Sequence, residues 1–301
     1  AMGQKQMAAL IKWFRLARTS DAVVITNTTG LLTLITIAAR LLPGRHPGIF
    51  LWDTNLRRPD SLRSWLGCLV MRWIFRFVDL FLVMHRDLTG YERYYRIPRR
   101  KFRFVSWKAN NIHRADSMNK TDEGYVLACG ASYRDYDTFN RAMEIAGPPA
   151  KIVLPLERVA RRHNSRLNDA SCPDNVRVIR HDRSKGSWDA YLAHARIIVV
   201  PVMKGALQPA GIATCYQAMA LGKPVVISRG VSTEGVLPDG VALIYEPGDA
   251  HVLAAHVQSL WGNPELRREL GERGRTFVQT LGDDNRIGRE IQEAIVGAIK
   301  K

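Results

Sequence analysis

At 301 residues and 46% hydrophobic content, the chain is long enough for two soluble globular domains, each with a real core. No run reaches the roughly 18 to 20 uninterrupted apolar residues of a membrane-spanning helix, since Arg40 closes the longest candidate, Leu31 to Ala39. The formal charge of +16 is lopsided: residues 1–120 hold 21 Lys+Arg against 7 Asp+Glu, and the rest hold 23 against 21. That asymmetry points to an anionic partner for the first part, whether a phosphorylated substrate, lipid headgroups or nucleic acid, with a generally basic soluble surface as the alternative. Ala1-Met2-Gly3 reads as a cloning remnant, and the residues after Gly3 lack the regions of a secretory signal, so a cytoplasmic location is expected. Cys68, Cys129, Cys172 and Cys215 form no C-x-x-C pair and have no histidine at metal-ligand spacing, as expected of reduced thiols.

In chain order, Ala22–Thr26 predicts a strand, Asn27 to Gly30 a loop, and the apolar stretch up to Pro43-Gly44 a helix. Gly48–Trp52 predicts a second strand. A helix capped at Asp60-Ser61 should follow to about Phe77, its face repeating Trp65, Leu69, Trp73 and Phe77. Strands at 80–84 and 102–105 enclose a helix over 87–95. Strands alternating with helices predict a parallel sheet covered by helices. The aperiodic polar stretch 109–124 suggests a linker, with the domain boundary near residue 118. A second alternating series then begins: strands at 125–129, 151–154, 176–179, 197–202, 224–227 and 242–245, with helices at 138–146, 188–194, 211–221 and 250–261. A helix near 284–299 ends the chain and is expected to pack back on the first domain.

The most informative run is Ile197 to Val226. A buried strand leads through Pro201-Val-Met-Lys204-Gly-Ala-Leu-Gln208-Pro-Ala-Gly211 into a helix, and Gly222-Lys-Pro leads into the next strand. This aims a helix N-terminus, with its free amides and partial positive charge, at the edge of the sheet where anions bind. An ordinary strand-helix-strand unit would read the same by periodicity alone. Asp135 and Asp137 spell the D-x-D of metal-dependent GT-A transferases, but one of them is well placed to cap the helix near Thr138, and no metal is expected.

The segment Pro209-Ala-Gly-Ile-Ala-Thr-Cys-Tyr-Gln217-Ala-Met-Ala-Leu-Gly-Lys-Pro-Val-Val226 resembles the donor-binding motif of the GT4-like retaining glycosyltransferases (glycosyl transferases group 1). Cys129-Gly-Ala-Ser-Tyr-Arg-Asp-Tyr-Asp137 resembles that family's G-R-S-Y-R-D segment, and Glu234 to Gly240 with Tyr245 to Asp249 resembles its later segment ending in P-G-D. The resemblance implies a GT-B architecture, an α/β fold of two Rossmann-like parallel-sheet domains facing a cleft, the N-terminal one reduced. It assigns residues 1–118 to the acceptor side, 119–281 to the nucleotide-sugar side, and 282–301 to a closing helix. It further implies a UDP- or GDP-linked sugar as donor, with no cofactor. Arg134 would neutralise the diphosphate with help from Lys204, and backbone near Gly130, Ala210, Gly211 and Ile212 would hold phosphate or sugar. Thr214, Gln217, Gln208 and Glu234 would contact the donor, and His181 lies where the nucleobase loop often runs. Gln217 stands where the family has a ribose-binding glutamate, Gln208 stands one residue out of register from another glutamate, and Ala131 replaces a frequent arginine.

In the first half, Asp53 ends a strand facing the expected cleft. It could orient an acceptor hydroxyl or take its proton, with Asn55, Arg57 and Arg58 meeting an acceptor phosphate; a loop aspartate paired with a neighbouring arginine is the alternative. Lys12-Trp13-Phe14-Arg15 and the Arg63 to Phe77 stretch interleave tryptophans with arginines. Either the rings and charges meet an anionic bilayer, or the tryptophans are core and only the arginines are exposed. The expected function is transfer of a sugar from a nucleoside-diphosphate donor to a lipid-linked or membrane-presented acceptor, with retention and without metal. The alternatives are a catalytically degenerate binding module and, more remotely, a basic nucleic-acid-binding protein, for which no groove-entering motif or stacking platform is visible.

Overall fold

A computed structural model of the chain describes residues 4–26, 30–108, 115, 117–165, 167–181 and 185–299. It divides into two compact units, one formed by residues 1–106 with 285–301 and the other by residues 107–284. The division falls at Ser106–Trp107, whereas the sequence pattern placed it near residue 118. The physical reason is packing: Trp107, Ala115 and Met118 join the second unit's core, so part of the polar stretch belongs to that unit. Residues 109–114 of the expected linker, and the expected loop residues Asn27 to Thr29, lie outside the described residues.

In the first unit, strands β1 (Ala22–Thr26), β2 (Gly48–Trp52), β3 (Leu80–Val83) and β4 (Phe102–Phe104) form a parallel sheet in the order β1-β2-β3-β4. Pairing runs from Ala22 opposite Gly48 to Thr26 opposite Trp52. The helices are α1 (Gln4–Thr19), α2 (Gly30–Leu41), α3 (Leu62–Ile74) and α4 (Thr89–Tyr95). Every step along the sheet goes the same way, so right-handed crossovers place the connecting helices on one face. Ile49, Phe50, Leu51, Phe81 and Leu82 are buried, and Phe75 meets Phe81 edge-on at 5.1 Å. Ser61 caps α3 in a capping box with Ser64, accepting its amide at 3.3 Å.

In the second unit, β5 (Val126–Cys129), β6 (Ala150–Pro155), β7 (Val176–His181), β8 (Ile197–Val200), β9 (Val225–Ser228) and β10 (Leu243–Tyr245) are parallel, in the order β10-β9-β8-β5-β6-β7. The helices are α5 (Tyr136–Ala146), α6 (Glu157–Arg162), α7 (Lys185–His194), α8 (Ile212–Ala220), α9 (Ala250–Gly262) and α10 (Pro264–Thr280), and α11 (Asp284–Ile299) closes the chain. Leu127, Cys129, Ile198 and Val200 face one core, and Val126, Ala128, Ile197 and Val199 the other. A strand covered on both faces needs apolar residues at every position, which explains the unbroken runs at β5 and β8.

Helices α1, α6 and α10 are additions to the elements placed from periodicity. Helix α10 begins with Asn263, which caps Leu266 at 3.0 Å, and Pro264 in its first turn. It lies against α8 with so little room that a Cβ on Gly271 would stand 2.1 Å from the Gly222 carbonyl oxygen.

Candidate functional site

The strand order of the second unit reverses between β5 and β8. The C-terminal edge at such a reversal is the usual ligand site of an open parallel sheet. The two loops at this edge are stitched together. Arg134 and Val202 form an antiparallel bridge, Asp135 N–H donates to Pro201 O at 2.9 Å, and Met203 N–H donates to Tyr133 O at 2.9 Å. From the end of β9, the Ser228 hydroxyl accepts Val202 N–H at 2.8 Å and donates to Val202 O at 3.0 Å. The Ser232 hydroxyl donates to Ala210 O at 2.6 Å.

Helix α8 starts at this edge, after the loop that follows β8. Gly211, its N-cap, holds φ +89°, and no side chain caps the first turn. Left-handed backbone and lack of space both require glycine here: a Cβ would lie 2.5 Å from Val200 Cγ1. The Ile212 amide turns back to Pro209 O at 3.3 Å and the Ala210 amide to Gln208 O at 2.6 Å, so of the amides expected to face a ligand these two are engaged, and those of Ala213 and Thr214 remain available to an anion.

Behind them sits Arg134, only 2% exposed. Its Nε donates to Cys129 O at 2.8 Å, Nη1 to Ser132 O at 2.7 Å and Nη2 to Thr214 Oγ1 at 3.3 Å, while its amide donates to Ser165 Oγ at 2.9 Å. Among the described residues it pairs with no carboxylate. Burial draws its pKa down, yet guanidinium stays protonated in proteins, so the loop keeps an uncompensated positive charge solvated by carbonyl and hydroxyl dipoles. Gly130, at φ +128°, gives it room, because a Cβ there would lie 2.3 Å from Nη2. Arg134, expected to neutralise a diphosphate, thus lies buried beneath the Gly130 and Gly211 backbone.

Ala210 and Ile212 are buried, Gln208 is half-buried, and Lys204 is exposed in the loop after β8. Thr214 is committed to Arg134. The Gln217 amide donates to Asp189 of α7, a buried residue that periodicity did not single out; nothing local marks a mid-helix aspartate as its partner. Glu234, at the C-terminal edge of β9, is exposed and paired with Arg229 at 3.2 Å. His181 ends β7 opposite Pro155, and its side chain lies outside the described residues. Asp135 caps α5, accepting Thr138 N–H at 3.1 Å and the Thr138 hydroxyl at 2.8 Å. Lys223 of the Gly-Lys-Pro turn precedes β9 and so lies at the opposite edge of the sheet from Arg134.

In the first unit, Asp53 follows β2 directly. It holds φ +50°, is half-buried, and burial lifts its carboxyl above the usual carboxylate range. Asn55, Arg57 and Arg58 are exposed, and the Arg57 carbonyl accepts the Tyr95 hydroxyl at 2.7 Å.

Two parallel-sheet α/β units, the second doubly wound with an uncapped helix at its switch point, match the GT-B fold of solved glycosyltransferase structures. Residues 160–277 match the family model described as glycosyl transferases group 1. The solved structures it resembles include a glycosyltransferase from Rickettsia africae ESF-5, at 11% identity and TM-score 0.67, covering 100% of this chain and 84% of that one. Anabaena Alr3699/HepE in complex with UDP aligns at 13% identity and TM-score 0.72, covering 96% and 82%. Sucrose-phosphate synthase from Thermosynechococcus elongatus aligns at 16% identity and TM-score 0.66, covering 98% and 79%. A sequence comparison with curated proteins finds no match.

Proposed function

We propose that the chain transfers a sugar from a nucleoside-diphosphate donor, with retention and without a metal ion, to an acceptor presented at an anionic membrane surface. One observation carries this reading: a buried arginine with no carboxylate partner among the described residues stands behind the uncapped N-terminus of α8 at the switch point. When the bond between the sugar and the diphosphate breaks, negative charge grows on the leaving oxygen. Fixed amides and a fixed guanidinium stabilise that charge without reorganising, and exposed Lys204 can close over it. Asp53, with its raised carboxyl pKa, is suited to orient the acceptor hydroxyl. The UDP complex of the structurally similar Anabaena protein supports the choice of donor class.

A second reading is a binding module without turnover. It is favoured by Gln217, whose amide is committed to Asp189.

The test is a thermal-shift series with UDP and GDP, in which a ligand at about 100 times its Kd adds roughly 2.7 kcal/mol. Ala213 is exposed in the first turn of α8. Ala213→Asp favours the helix dipole, by about 0.3 to 1 kcal/mol, but repels a diphosphate. It should abolish the shift without lowering the melting point of the free protein. Full retention of the shift in Ala213→Asp would remove the diphosphate from this helix. Release of free sugar or transfer from a labelled donor separates the enzyme from the binding module.

A further inference from the structure

Helix α3 is attached to the first unit by one side only. Cys68 Sγ lies 2.9 Å from Tyr94 O, Arg72 Nε donates to Tyr94 O at 2.8 Å, and Ile74 is buried. At its C-terminal end, Lys101 Nζ donates to the carbonyls of Phe75, Arg76 and Val78, which fixes the last turn. The opposite side carries Leu62, Trp65, Leu66, Leu69, Val70 and Trp73, which are 79%, 42%, 57%, 51%, 58% and 50% exposed. At about 100° per residue these six fall in an arc roughly 140° wide, with Arg63 beyond one edge and Arg72 beyond the other. The helix contains no Asp or Glu. A firmly held helix that turns its large apolar side chains to solvent marks an interaction surface.

We infer that this face of α3 is the membrane-docking surface, lying in the headgroup region of an anionic bilayer with Leu66, Leu69 and Trp73 inserted and the arginines at the phosphates. This deepens the membrane-acceptor reading above and names the surface that performs it. Charge decides the occupant. In an isologous contact between two copies, each helix would bring two arginines and no acid to the seam, so like charges would face one another. An anionic bilayer accepts the apolar arc and the flanking cations together. Trp13, for which a bilayer role and a core role were both open, is half-buried and its indole N–H donates to Thr36 Oγ1 at 3.0 Å, within the packing of α1 on α2.

The experiment is co-sedimentation of the full chain with vesicles of phosphatidylcholine alone and with about a third phosphatidylglycerol, alongside the UDP thermal shift and sedimentation velocity. The wild type should bind the anionic vesicles, ignore the neutral ones and release in high salt. Leu66→Glu/Leu69→Glu changes only exposed positions and should lower the partition coefficient more than tenfold. Arg63→Gln, at an exposed position, should lower it about fivefold, from roughly 1 kcal/mol per cation converted at 1.4 kcal/mol per decade. The UDP shift of all variants should stay at the wild-type value, so a lost shift with intact vesicle binding faults the donor reading and not this one. Unchanged vesicle binding in the double glutamate variant overturns the proposal. So does a wild-type dimer that the variant converts to monomer, which would assign the face to a second copy.

Discussion

His85 makes the first unit sensitive to acid. It follows β3 at the C-terminal edge of the sheet, is 2% exposed, and neither ring nitrogen has a hydrogen-bond partner among the described residues. Its ring meets Tyr91 edge-on at 5.0 Å, and Tyr91 in turn donates its hydroxyl to Thr54 O at 2.6 Å. Burial pushes its pKa from 6.5 down to about 4, with Asp87 opposing the shift. The unfolded chain therefore binds this proton below pH 6.5, whereas the folded chain binds it only below about 4. Stability is complete above the upper value and is lost as pH falls through the window. At about 1.4 kcal/mol per unit of pKa the full loss is roughly 3 kcal/mol, of which about 2 kcal/mol is gone by pH 5. Urea unfolding followed by circular dichroism from pH 8 to 5 should show this slope in the wild type. His85→Phe keeps the ring volume and removes the proton site, so its curve should be flatter by about 2 kcal/mol over that range. Parallel curves for the two proteins would refute the assignment.

Gly271→Ala should destabilise by about 3 kcal/mol or more in thermal unfolding, because its Cβ would meet the backbone carbonyl of Gly222 at 2.1 Å. Gly288→Ala, in α11 with nothing within 4 Å, should gain about 0.5 to 1 kcal/mol and serves as the control. Gln217→Glu, which family resemblance alone predicts to improve donor binding, should instead weaken it at pH 8, since a second carboxylate would face Asp189. Adding Asp189→Asn should restore UDP affinity, and a double-mutant cycle by calorimetry should show coupling of about 1 kcal/mol or more. Additive effects would mean that the two side chains do not meet.

The amino-acid sequence by itself determined the alternating α/β plan and nearly every strand. Runs such as Val126–Cys129 and Ile197–Val200 are apolar at every position because both faces are covered, and that is a local signal. It also marked the start of α8, since Gly211 at a helix start after a buried strand is readable in order along the chain. What it left open depends on partners far apart. Arg134 meets Thr214 across 80 residues and Gln217 meets Asp189 across 28, so neither the burial of that charge nor the commitment of that amide is visible in any window of sequence. Helix α10 escaped the apolar period because much of its surface is Glu-Arg pairs, such as Arg268 with Glu272. The two readings of the α3 tryptophans are equivalent by period. Only the tertiary structure, by burying Cys68 and Ile74 and leaving Trp65 and Trp73 in solvent, decides which face of the helix is turned outward.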